Sequence, residues 1–333
     1  MGMRSFARTL GGIGLLLACA YVAQATPGSA YADLQRHLTQ PDQSVDFAAA
    51  KIAIDRLIDP SIDVAAVQRE LDRLTRAVAA RTPAGLTPRA RMDVLLSTLY
   101  TAGDWNDHRP FRYDLDDPMG RQRENKLLST YLRTRKGNCV SMPTLVTIIG
   151  QRLGLVVTLA TGPEHVMTKF ADGHDWLNVE ATSGGYKWDS SYERDLDIGA
   201  LALENEIYLR PLAPREAVGV MASTLMEALA ANRRADDLMV VADMVLAANP
   251  TDVVAIIQKA NAYYLQLQQR YNSRYARPAD IPPELQADYA MRSRANLEWF
   301  AKAEALGWHP PTAQNRSRYL QSIDQEKEKR GQL

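Results

Sequence analysis

Apolar positions in this chain keep a helical period toward both ends and lose it in the middle. Phe47 to Leu57, Asp63 to Ala80 and Arg89 to Tyr100 carry apolar residues three and four apart, the spacing of amphipathic helices. Residues 104–122 break the pattern, with Trp105, His108, Phe111, Tyr113 and Pro118 scattered among polar neighbours. This stretch is expected to be a plain surface crossing, in preference to a cover over a site. Helical spacing returns after Cys139, at Leu145, Ile148, Ile149 and Leu153. Pro143 fits only a first turn or a kink, so the regular helix should start near Ser141. His165 to Phe170 and Asp175 to Glu180 then read as strands. From Pro211 and Pro214 onward the period is helical again, over Arg215–Ala231, Ala235–Ala248, Thr251–Gln268 and Pro283–Leu306. The insert Arg270 to Pro282, with Tyr271, Arg274, Tyr275 and Arg277, reads as a solvated loop. The charged residues from Ser322 read as a frayed end. Helices gathered around a short hairpin predict an α+β core followed by an all-α region.

The hairpin brings candidate chemistry with it. Ala171-Asp172-Gly173-His174 has Asp-Gly at its centre, which suits a two-residue type I′ turn. Pairing Ala171 with His174 sets the register and places His165 directly opposite Glu180. Facing side chains lie roughly 5 Å apart at Cβ. Imidazole and carboxylate would share a face, with Asn178 one step along it. A one-residue slip would separate them.

Cys139 completes a thiol-based set. A thiolate attacks a carbonyl, an imidazole handles the proton, and a carboxylate orients the imidazole. The residue sits in Arg135-Lys136-Gly137-Asn138-Cys139, just before the apolar helix. Unpaired N–H groups and the dipole of that helix start favour negative charge on sulfur. Arg135 and Lys136 are expected to add positive charge nearby, and Gly137 to let the backbone turn sharply. The plain alternative for Cys139 is a small buried hydrophobe, and for His165 a packed strand residue.

The amino terminus is a processing segment. Arg4 and Arg8 precede a short apolar run from Leu10 to Ala18, too short for a comfortable membrane span. Leu16-Leu17-Ala18-Cys19 matches a lipoprotein box, making Cys19 a lipidation candidate. Ala23-Gln24-Ala25 matches an ordinary signal-peptidase site. Either exit implies export, with a bacterial periplasm as the expected compartment and a lipid anchor as the only membrane contact. Cys139 is then the sole free thiol of the mature chain, unusual in an oxidising compartment. The organisation reads as a leader (1–25), a small polar linker (26–45), a core domain (46–212) and a helical domain (213–333). Lys plus Arg balance Asp plus Glu at 39 each, which leaves no electrostatic footprint for nucleic acid. The five His are scattered without ligand spacing, so no metal site and no cofactor are expected.

The stretch from about Asp46 to about Tyr192 resembles the transglutaminase-like superfamily, most closely its SirB branch. The resemblance is carried by Ala50-Lys51-Ile52-Ala53-Ile54-Asp55, Asp59-Pro60-Ser61-Ile62-Asp63 and Leu71-Asp72-Arg73-Leu74. It continues through Asn125-Lys126-Leu127-Leu128, Arg133, Arg135, Gly137, Ser141 and Arg152-Leu153-Gly154-Leu155. Gly162-Pro163-Glu164-His165 resembles the turn into the histidine strand, and Val179-Glu180-Ala181-Thr182-Ser183-Gly184-Gly185 the stretch holding the acid. Many SirB-branch members have Pro where this chain keeps Cys139, and the superfamily usually has Asp where Glu180 stands. Farther on, Ala242 to Tyr264, through Asn249-Pro250-Thr251-Asp252, resembles a tetratricopeptide helix join.

The resemblance implies a papain-like cysteine core with a helical amino-terminal segment and a tetratricopeptide-like tail. It implies a thiol hydrolase or acyl transferase acting on peptide or amide bonds through Cys139, His165 and Glu180. Asn178 is the rival orienting residue. A protein or peptide partner, taken through the tail, is the expected interaction. The competing reading is a non-catalytic periplasmic scaffold on the same fold.

Overall fold

In a computed structural model that describes residues 30–182, 184–329 and 331, helices surround one four-stranded antiparallel sheet. The expected leader, with Cys19, lies outside the described residues. The expected linker is largely structured: Ala32–Thr39 forms α1, which buries Tyr31, Leu34 and Leu38. A small polar composition concealed three well-spaced apolar residues.

The next three helices follow their caps. Phe47–Ile58 (α2), Val64–Ala80 (α3) and Pro88–Tyr100 (α4) start behind Asp46, Asp63 and Thr87, whose side chains accept from backbone N–H groups of the first turn. Pro88 occupies the helix start, where no N–H is needed. α3 buries Val67, Leu71, Leu74 and Val78, one stripe at helical spacing. α2 carries a buried ion pair, Lys51 Nζ to Asp55 Oδ1 at 2.7 Å. The other Asp55 oxygen accepts from the Leu128 N–H at 2.8 Å, tying α2 to α5, Leu128–Thr134.

Residues 104–122 do not merely cross the surface. Phe111, Tyr113 and Leu115 are buried, and Arg112–Tyr113 (β1) pairs in parallel with Lys136–Gly137 (β2). The odd aromatic positions in this polar stretch point inward. Gly137 is required for close approach rather than for a sharp turn, since a Cβ there would overlap the Tyr131 ring.

Ser141–Arg152 (α6) is the central helix, buried from Ser141 through Gly150. Pro143 sits in its first turn, where the missing N–H costs nothing. The sheet runs in order β3 (Val157–Gly162), β4 (His165–Ala171), β5 (Trp176–Glu180), β6 (Gly185–Lys187). One face packs on α6, where Thr168 Oγ1 donates to the Pro143 carbonyl at 3.0 Å and meets Thr147 Oγ1 at 3.2 Å. The other face carries Ala160 and Met167 against Tyr192, Ile207 and Leu209. Residues 207–212 run along the free side of β3, with Leu209 N–H to Thr161 O at 2.9 Å and Leu212 N–H to Leu159 O at 3.1 Å. This covers the sheet edge.

Among the described residues the remainder is helical: α7 (Asp189–Asp195), α8 (Ala200–Glu204), α9 (Pro214–Ala231), α10 (Ala235–Ala248), α11 (Val253–Leu267), α12 (Pro283–Ala305) and α13 (Ala313–Lys329). α9 packs against α2 and α1, and residues of all three share one hydrophobic core with the sheet. The insert before α12 is no solvated loop, because Tyr271 and Ile281 are buried with Leu267, and Tyr271 stacks edge-on with Tyr289. The expected frayed end is also helical, and Ile323 of α13 is buried in the main core. No described helix is long and apolar enough to cross a membrane.

Candidate active site

The site forms where the start of α6 meets the start of β4. Asn138 shapes the approach. Its Oδ1 accepts from the N–H groups of Val140 (3.0 Å) and Ser141 (3.1 Å), while its own N–H donates to Ser141 Oγ at 3.1 Å. This reciprocal cap pins the turn on both sides of Cys139 and buries Asn138. Cys139 itself is a free, partly exposed cysteine. Its sulfur contacts the Glu164 carbonyl at 3.9 Å, one residue before His165, and Cys139 is close enough to help raise the imidazole's pKa.

The basic neighbours anticipated for the thiol are taken up elsewhere. The Arg135 guanidinium donates to the carbonyls of Asn106 and Arg109 and lies over the Phe111 ring. Lys136 pairs with Asp116 at 2.7 Å. Residue Arg135 takes a left-handed φ of 57° to leave α5, which sends its side chain to the 104–109 turn.

His165 opens β4 after the tight turn Pro163-Glu164, closed by the pair Gly162 and His165. Its Nε2 meets Glu180 Oε2 at 3.0 Å. The two residues are not directly opposite. Ala171 pairs with Trp176, Thr168 with Val179, and Asp172 N–H closes on Asp175 O at 3.1 Å. The central turn residues are therefore Gly173 and His174. Only Gly173 of the two has positive φ, at 103°, whereas a type I′ turn needs it at both. The register is shifted by two residues from the expected one. A two-residue slip preserves the face, so His165 reaches Glu180 diagonally along the strand pair.

Glu180 accepts hydrogen bonds at both of its oxygens. His165 Nε2 (3.0 Å) and Tyr192 OH (2.5 Å) meet Oε2, and Thr182 N–H (3.1 Å) and Oγ1 (2.5 Å) meet Oε1. Burial alone would push this carboxyl up. The His165 charge and the donors of His165, Thr182 and Tyr192 outweigh it and bring Glu180 down to about 2. Burial likewise pulls His165 down, but Glu180 and the contact with Cys139 outweigh that and raise it to about 10. The imidazole is thus favoured as a partly buried imidazolium against a carboxylate, its side chain 16% exposed. The Tyr192 ring lies 5.7 Å from the His165 ring.

Asn178 shares the face of Glu180 but does not reach His165. Its Nδ2 donates to Lys187 O at 2.9 Å and to Asp189 Oδ1 at 2.6 Å. Sequence reading missed Thr182, Tyr192 and Tyr113. Thr182 had a local signal, two residues beyond the acid. Tyr192 had none, because α7 brings it to the sheet from outside the strand pattern. Tyr113 stands on β1 opposite Gly137, two residues before Cys139. Among the described residues no group of three or more His, Cys, Asp or Glu is arranged to hold a metal.

Residues 65–222 match the family model of the transglutaminase-like superfamily. The match runs from the start of α3 into α9, and it spans Cys139, His165 and Glu180. No curated protein and no solved structure matches the chain. The chain therefore carries a transglutaminase-like domain.

Proposed function

We propose that Cys139, His165 and Glu180 form a thiol acyl-transfer centre acting on peptide or amide bonds. One observation carries the reading: a single imidazole is electrostatically coupled to a partly exposed cysteine and hydrogen-bonded to a carboxylate that Thr182 and Tyr192 hold at its two oxygens. The Cys139 sulfur attacks the carbonyl carbon, forming a C–S bond. The C–N bond then breaks, and the departing nitrogen takes the proton held by His165. Water or a second amine attacks the thioester, gives a proton back to His165 and releases the thiolate. Because Glu180 keeps His165 protonated, the imidazole enters this cycle as the acid beside the sulfur. Glu180 holds the ring's orientation and offsets its charge. Asn178, engaged with Lys187 and Asp189, is outside this arrangement.

The proposed protein is a SirB-type member that retains the nucleophile, exported to the periplasm by its leader and anchored there if Cys19 is lipidated. The antiparallel helices α10 to α12 would present a tetratricopeptide-like surface that selects a protein or peptide partner. The test is complementation in the cell of a deletion strain with Cys139→Ala. Loss of function with an intact fold is expected, since removing one sulfur at a helix start costs on the order of 1 kcal/mol. Full function in that variant would instead support the scaffold reading.

A further inference from the structure

The carboxy-terminal helix α13 has no part in the chemistry above, yet it ends on the loop beside the thiol. Three of its residues, Tyr319, Ile323 and Lys327, are spaced four apart and so line one face of the helix. Tyr319 and Lys327 act on the loop that holds Asp116 and Pro118, and Ile323 between them packs into the main core. Tyr319 OH donates to the Tyr113 hydroxyl and lies 2.8 Å from the Pro118 carbonyl. Ile323 is the one buried residue among the described side chains of α13. Asp116, on the same loop, is drawn down first by Lys136 and further by Lys327.

Tyr113 is the link to the site. Its hydroxyl also donates to Pro118 O, at 2.7 Å, and its strand lies against Gly137, two residues before Cys139. Burial raises both phenols, Tyr319 to about 12; Tyr319 raises Tyr113 further, and the Glu180 carboxylate raises both. The two rings therefore stand in the electrostatic field of the site. Tyr319 remains 37% exposed, so it forms the outer, solvent-side member of the pair.

We propose that Tyr319 is a specificity-determining residue: latched to Tyr113 and Pro118, it walls the open side of the Cys139 site and limits the bulk of the acyl group that reaches the sulfur. This rests on the acyl-transfer reading only for what the wall excludes; the wall itself is a matter of access. The latch consists of one buried isoleucine, one phenol pair and exposed charges, so it is weak compared with the core beneath it. It selects small or extended substrates when docked and admits bulkier ones when α13 lifts.

Size-selective labelling of the full-length protein tests this. Cys139 is alkylated with iodoacetamide and, separately, with a rhodamine iodoacetamide that carries the same electrophile on a bulky body. Labelling is read on the Cys139 peptide by mass spectrometry. Tyr319→Ala is expected to lower the small-to-bulky rate ratio about tenfold. Ile323→Asp, which removes the buried anchor of α13, is expected to lower it in the same direction. A ratio within about twofold of the parent in both variants, with helix content unchanged by circular dichroism, overturns the proposal. The ratio is independent of whether His165 activates the thiol. A His165→Ala variant that labels at the parent rate would remove the chemistry and leave the wall readable, so the two readings fail separately.

Discussion

Glu180 shows what a longer acid needs in order to act on the histidine here. Its extra methylene relative to Asp is accommodated by bonds at both oxygens, from Thr182 on one and from His165 and Tyr192 on the other. The consequence is a pH signature. His165 is raised, so the stability it adds is fully present below its ordinary value of 6.5 and is lost as pH rises through about 10. Glu180 is lowered, so its contribution is fully present above its ordinary 4.5 and is lost as pH falls through about 2. The pair is therefore most stabilising between these two ordinary values. Glu180→Gln should flatten that profile in urea titrations across pH and reduce activity, because it keeps a hydrogen-bond acceptor but loses the charge. Asn178→Ala should reduce activity less. If Asn178→Ala proves the more damaging, the orienting role belongs to the amide and the hydrogen bond to Glu180 is incidental.

At the scale of elements, the hairpin explains what could and could not be read from the chain. The alternation from His165 to Glu180 was enough to place imidazole and carboxylate on one face, because parity survives a two-residue slip. The register was not readable, because Asp172-Gly173 and Gly173-His174 are both plausible turn centres and only backbone geometry separates them. The apolar spacing of α2, α3 and α4 was legible, whereas β1 and β2 were not, being two residues each and paired across 24 positions of sequence. The Val157–Gly162 strand escaped notice because it follows α6 without a strong polar alternation. The turn that delivers His165 carries its own strain. Glu164, directly after Pro163, adopts a φ of 52° in the left-handed region, which favours glycine. Glu164→Gly should raise stability by up to about 1 kcal/mol in urea denaturation. A loss of stability would show that contacts of the glutamate side chain outweigh the backbone strain.

For the whole molecule, the sheet that holds His165 and Glu180 shares its core with helices from both ends of the chain. α1 and α2 pack on α9, and α13 returns to the loop beside Cys139. Composition could not announce this, since a polar amino-terminal stretch and a charged carboxy-terminal one both conceal single apolar anchors, Leu34 and Leu38 in one, Ile323 in the other. Nor could local spacing reveal that a tyrosine some two hundred positions from Tyr113 would bond to it. The account as a whole stands on the thiol and the imidazole acting as one unit. The most direct measurement is the rate at which iodoacetamide labels Cys139 at pH 6, in the parent protein and in His165→Ala. The account predicts labelling slowed about tenfold or more in the variant, a loss of at least about 1.4 kcal/mol of transition-state stabilisation. Equal rates in the two proteins, with both folded, would contradict it.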